Sequence, residues 1–199
     1  MMDNYSMIQA AADDFETVRQ ITQETIRAVY PAYYPAGAVD YFCRHHSDES
    51  ISADIASGKV YLLCDDETIV GTVTISGNGI NRLFVLPQHQ HRGYGRALLD
   101  FAEQRILSQD NTVRIDASFP AKQIYLKRGY RETEYHVVRT ENGDYLCYDV
   151  MVLSKGGNDH MEFRRLTASD LPSLSPVSIF RCYICSQKHG RQQSPASDP

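Results

Sequence analysis

Residues 83–99 constrain this chain more than any other stretch. Leu83-Phe84-Val85-Leu86-Pro87 is an apolar run closed by a proline, and Gln88-His89-Gln90-His91-Arg92-Gly93-Tyr94-Gly95 follows directly. Leu98, Leu99, Ala102 and Ile106 then recur on one helical face from Arg96 to Leu107. A strand, a glycine-bearing loop and a helix therefore succeed one another without a gap. Glycines let the backbone approach a ligand closely, and a helix N-terminus offers unpaired N–H groups and the positive end of its dipole. Arg92 and Arg96 add positive charge. The segment suits an anion, and a diphosphate is its natural guest. A tight strand-to-helix turn would use the same residues, so Gly93-x-Gly95 alone does not decide the matter. Two phosphate motifs are excluded: no Gly-Lys-Ser/Thr is present, and Leu98 stands where the dinucleotide fingerprint needs a small residue.

The rest of the chain alternates strands and helices around this segment. Tyr5 to Ala11 reads as a strand. Asp13 and Asp14 suit a helix N-terminus, and Phe15, Val18, Ile21, Thr25 and Val29 carry a helix to about Tyr30. Pro31 to Pro35 breaks it. Helical stretches follow over Val39–His45 and after Ser47, with Gly58 as a C-cap. Strands are predicted over Lys59–Cys64, Thr68–Ser76 and Ile80–Leu86, the last two joined by an Asn78-Gly79 hairpin. Thr112–Ala117 is a strand, Pro120 opens a helix that Gly129 ends, and Arg131–Thr140 and Tyr145–Leu153 form a second hairpin at Asn142-Gly143. The order β-α-α-β-β-β-α-β-α-β-β defines a mixed α/β (α+β) fold: a mostly antiparallel sheet flanked by helices.

Two stretches together carry a resemblance. Val85-x-Pro87-x-x-Gln90-x-x-Gly93-x-Gly95-x-x-Leu98-Leu99 resembles the acetyl-CoA motif of the GNAT acetyltransferase superfamily. Ser118-Phe119-Pro120-Ala121 through Tyr125-Leu126-Lys127-Arg128-Gly129-Tyr130 is similar to that family's second motif. The resemblance spans about residues 5–153 and implies a splayed sheet and acetyl-CoA as co-substrate. It implies that Gln90, His91, Arg92, Gly93, Tyr94, Gly95, Arg96 and Ala97 hold the CoA pyrophosphate, and that Phe84, Val85 and Leu86 hold the pantetheine and acetyl carbonyl. Ser118 stands where the family often has asparagine. Tyr125 matches the tyrosine general acid that protonates the departing thiolate. A neutral amine would attack the thioester directly in a ternary complex, with no acyl-enzyme. Read without the resemblance, Tyr125 is an aromatic core residue on its helix.

The acceptor side is less defined. Many relatives place a glutamate base at the position of Asn81, which cannot take a proton. Glu24, His45, His46 or a water chain remain as bases, and Tyr30, Tyr33 and Tyr34 are candidates for an acceptor pocket. Residues 1–70 carry four basic and twelve acidic residues, or −8, whereas residues 71–139 carry +4. The N-terminal helices form the acceptor half of such a fold, so this asymmetry favours a small cationic amine. A non-catalytic acyl-CoA-binding module and a protein or peptide N-acetyltransferase are the alternatives.

Composition sets the outer limits. The net charge of −5 argues against a nucleic-acid binder, and no apolar run approaches a bilayer span. Five cysteines without a visible secretory signal favour reduced thiols and a cytoplasmic location. A homodimer is compatible with the reading. Residues 1–153 are expected to form one N-acetyltransferase domain and 154–199 an extension. Within the extension, Met161–Leu171 looks like the start of a second domain of the same kind. Cys182-x-x-Cys185 with His189 is half a zinc site; His160 is the one further tail histidine, and no metal is expected.

Overall fold

The computed structural model describes residues 5–156. Its strands are β1 (Tyr5–Gln9), β2 (Val60–Asp65), β3 (Thr68–Ser76), β4 (Gly79–Val85), β5 (Thr112–Ala117), β6 (Arg131–Arg139) and β7 (Tyr145–Ser154). Its helices are α1 (Phe15–Val29), α2 (Ala36–His45), α3 (Asp48–Ala56), α4 (Tyr94–Leu107) and α5 (Phe119–Lys127). The two helical stretches after Pro35 are separate helices, because His46 ends one and Ser47 caps the next by accepting from the Ser50 amide at 3.3 Å. Three helices therefore precede β2, where the expected order counted two. The expectations for residues 157–199, including Met161–Leu171 and the Cys182/Cys185/His189 group, lie outside the described residues.

The seven strands form one sheet in the order β1-β2-β3-β4-β5-β7-β6. Every neighbouring pair is antiparallel except β4 and β5. That parallel pair meets only at Gly79–Arg114 and Ile80–Ile115, and then the strands part. Asn78 pins the junction: its carbonyl accepts from the Arg114 amide at 2.9 Å, and its side chain donates to Thr112 Oγ1 at 3.0 Å.

Each face of the sheet is covered by a helix layer. Ala97, Leu98, Leu99, Ala102 and Ile106 of α4 pack on Val70, Val73, Ile80, Val113 and Ile115. On the other face, α1 and α2 pack Ile21, Ile26, Ala38 and Val39 against Phe84, Leu86 and Leu146. Fully buried residues such as Ile21 and Ile26 each contribute about 1.5–3 kcal/mol of burial free energy. Gly71 on β3 is required by this packing, because a Cβ there would meet Leu98 Cδ1 and the Phe84 carbonyl at 2.9 Å.

One turn and one helix start differ from expectation. The β3–β4 turn is Gly77-Asn78, with Ser76 paired to Gly79, and the positive φ falls on Gly77. Asp14 makes no cap hydrogen bond to α1; its carboxylate instead accepts from the Ala11 amide at 2.8 Å.

Candidate active site

The parting of β4 from β5 opens a cleft of about 1070 Å³. Its two ends are built differently. At the C-terminal end of β4, backbone geometry dominates. His91 and Gly93 have φ of 62° and 92°, and Gly93 precedes the first residue of α4. This turn aims the loop and the free N–H groups of the first turn of α4 to one side, the arrangement that binds anions. Gln90 stiffens the approach, since its Nε2 donates to the Val85 carbonyl at 3.0 Å. Thr25 Oγ1 donates to the same carbonyl at 3.2 Å, tying α1 to the end of β4.

Of the residues expected to hold the cofactor, Phe84, Val85, Gln90, His91, Gly93, Gly95, Arg96 and Ser118 line the cleft. Leu86, Arg92, Tyr94 and Ala97 do not line it. Leu86 is buried in the α1–α2 core and its amide donates to the Val70 carbonyl at 3.0 Å. Ala97 faces the sheet. The Tyr94 hydroxyl turns away and donates to Asp65 at the end of β2. Lys127 and Arg128 join Arg96 as cations on the cleft wall. Arg128 is held there by Glu103 and by Asp100 at 2.6 Å.

Tyr125 lines the cleft, although only 6% of it is exposed. Burial pushes its phenol above the ordinary value, so the hydroxyl stays protonated and can donate. Tyr30 lines the cleft as well. Burial raises its phenol too, and a hydrogen bond with the Ser118 side chain opposes the rise. Ser118, at the N-cap of α5, is thereby linked to the tyrosine at the end of α1.

The end expected to take the acceptor, at the N-terminal part of β4, is built from side chains. Between the pairs Thr74–Arg82 and Ile75–Ile80, Asn81 is the extra residue of a β-bulge. Bulges re-aim side chains, and Asn81 is exposed in the cleft. Tyr33, Phe42, His45 and His46 line the same region. Glu24 lies outside it; its carboxylate accepts from Gln20 on the surface of α1. Tyr34 also lies outside: it stacks on Phe119 at 5.2 Å, and its hydroxyl accepts from the Phe119 amide at 2.7 Å. It thus caps α5 rather than lining a pocket.

One central residue escapes sequence reasoning altogether. Arg82 is 2% exposed, yet its guanidinium reaches four side chains. Nη2 pairs with Asp54 at 2.8 Å and bonds Ser50 Oγ at 3.2 Å, Nη1 donates to Thr74 Oγ1 at 3.1 Å, and Nε donates to His46 Nδ1 at 3.3 Å. The available signal is an arginine inside an apolar strand, which has to find partners when buried. Burial, then the neighbouring Arg82 charge, lowers the His46 imidazole to about 3, so the ring is neutral. Among the described acids of residues 1–70, Asp54 alone lines the cleft, and Arg82 already neutralises it. The negative charge of that segment lies elsewhere on the fold.

Among the described residues, no group of three or more His, Cys, Asp or Glu side chains could hold a metal ion, and no helix is long and apolar enough to cross a membrane.

A sheet opened at one parallel seam, with a left-handed glycine turn feeding a helix at its mouth, defines an acyl-CoA-binding transferase fold. Residues 21–143 match the family model described as an acetyltransferase (GNAT) domain, and the chain belongs to that family of N-acetyltransferases. Solved structures agree on the fold. A GCN5-related N-acetyltransferase from Rhodopseudomonas palustris superposes with a TM-score of 0.69 at 23% identity, over 77% of this chain and 98% of that one. PaiA N-acetyltransferase from Thermoplasma acidophilum, solved with coenzyme A, gives 0.58 at 19% identity over 75% and 98%. A Drosophila melanogaster polyamine N-acetyltransferase gives 0.55 at 13% identity over 75% and 99%. No curated protein matches the sequence.

Proposed function

We propose that the chain transfers acetyl from acetyl-CoA to a small primary amine in a ternary complex, and that residues 1–153 are the unit that does so. The observation that carries this is the joining of two surfaces by one strand. The amide-rich turn at Gly93 and the aromatic acceptor end both open on β4, and Tyr125 lines the same cleft. The loop from Gln90 to Gly93 and the first turn of α4 would hold the diphosphate, with Arg96 and Lys127 beside it. The parted edge of β4 offers amides to the pantetheine and to the thioester oxygen. An amide aimed at that oxygen stabilises charge that develops as nitrogen attacks.

The bond balance is simple. The amine nitrogen forms a bond to the carbonyl carbon, the carbon–sulfur bond breaks, and the thiolate takes a proton. Tyr125, kept protonated by burial, would supply that proton. The amine must shed one proton, and exposed His45, which lines the acceptor end, is the side chain there to receive it directly or through water. The cationic acceptor favoured by the charge count has two cleft carboxylates in its support, Asp54 and Asp116, and each is paired with an arginine. The aromatic walls of Tyr30, Tyr33 and Phe42 instead suit an amine with an apolar body.

The test is thiol release from acetyl-CoA across a panel of aliphatic, aromatic, amino-acid, polyamine and peptide amines. Release with small amines is expected. CoA binding with no release from any amine would overturn the reading in favour of a binding module, and release with peptides alone would overturn the small acceptor.

A further inference from the structure

A guanidinium buried at the acceptor end costs desolvation, and an apolar side chain could join β4 to α3 as well. What an apolar residue could not do is fix the neighbouring imidazole. Arginine is a donor only. The contact from Arg82 Nε therefore requires a lone pair on His46 Nδ1, and in the neutral ring the proton sits on Nε2. His46 is buried except where it lines the cleft, and its Nε2 is neither sealed from solvent nor taken by a partner among the described residues. The ring is clamped edge-on against Phe84, with centroids 5.6 Å apart. The cleft thus receives a single N–H donor, fixed in direction and polarised from behind by a cation. In this tautomer Nε2 cannot accept the amine's proton.

We infer that His46 determines acceptor specificity by donating its Nε2–H to an oxygen of the acceptor. The acceptor is then a primary amine carrying a carbonyl or carboxylate oxygen close to the amine, the chemistry shared by an amino acid and its amide. Asp54 balances Arg82, so the oxygen need not be charged. Arg82 is a positioning residue that acts through His46. This inference rests on the acetyl-transfer reading above.

A matched series tests it: phenylalanine, phenylalaninamide and phenethylamine share amine and body and differ in the oxygen. With the wild type, kcat/KM for at least one oxygen-bearing amine should exceed that for phenethylamine by about 10- to 100-fold, the worth of one hydrogen bond. His46→Phe should erase the difference. His46→Gln, which can offer oxygen to Arg82 and N–H to the cleft, should restore it. CoA affinity serves as the check that each variant is folded. Equal use of all three amines by the wild type, or discrimination that survives in folded His46→Phe, would overturn the inference and leave acetyl transfer intact. So would silence of this series when other amines release thiol. Silence of every amine would overturn the underlying reading itself. Nitrogen-15 NMR of the imidazole gives a readout independent of activity and of the variants' folding: Nε2 should carry the proton and Nδ1 should not, and the reverse would sink the proposal.

Discussion

The two ends of the cleft are built from different materials. The loop end uses backbone: two positive φ angles and the unpaired amides of a helix start. The acceptor end uses side chains held by Arg82, whose partners come from β3, α3 and the end of α2. A backbone site tolerates change in most side chains but not in the glycine that permits the turn. A side-chain site is the converse, since each partner is replaceable only if the others adjust. On the proposed assignment such a fold can keep its cofactor while changing its acceptor, because each end is built from its own residues around one strand.

Four perturbations test this contrast. The largest is Asp54→Asn, which leaves the buried Arg82 charge unpaired. It should cost about 3 kcal/mol, read as a fall in the urea midpoint, at the low end of the range for broken buried pairs because Asp54 is partly exposed. A cost near zero would mean that solvent already screens Arg82. Tyr125→Phe should lower kcat on the order of 100-fold with CoA affinity unchanged, as expected for loss of a general acid. An equal loss of CoA affinity would instead assign Tyr125 to packing. Gly93→Ala puts a Cβ on a left-handed residue, a strain of about 1–2 kcal/mol. CoA affinity should fall about 10-fold while acceptor KM holds; movement of both would show that the two ends are coupled.

The smallest effect per increment is that of pH. The His46 imidazole is lowered from 6.5 to about 3 on folding, so below pH 6.5 the unfolded chain binds a proton that the folded chain refuses. Stability contributed by the neutral ring is complete above pH 6.5 and is lost as pH falls toward 3, by on the order of 1 kcal/mol per pH unit. His46→Gln should flatten that part of the curve of unfolding free energy against pH. The same slope in the variant would assign the titration to another group.

The contrast also explains what the sequence made legible. The loop end depends on residues within one short segment, so spacing alone exposes it, and the bounds of Thr68–Ser76 and Thr112–Ala117 follow from local alternation in the same way. The acceptor end depends on contacts 8 to 36 positions apart, from Thr74 to Arg82 and from His46 to Arg82. No local pattern encodes those. Charge counting misplaced the acids because position in the chain is not position in the cleft. Tyr34 and Tyr30 look alike in sequence, yet one caps α5 and the other faces the cleft, a difference set by where the 3₁₀ turn after α1 points each ring. The exposure of Asn81 follows from a bulge that only the pairing with β3 creates.

The two-pair seam between β4 and β5 has a consequence for exchange with solvent. Along β4, amides alternate between the β3 side and the β5 side, with one break at the Asn81 bulge. The first set is bonded from Gly79 to Val85, whereas the second has ladder partners only near Gly79 and Ile80. In deuterated water this single strand should therefore show two populations of amides, slow and fast, alternating on either side of the Asn81 bulge. Adding CoA should slow the fast set and leave the slow set as it was, so the strand would report occupancy of the cleft residue by residue without any label.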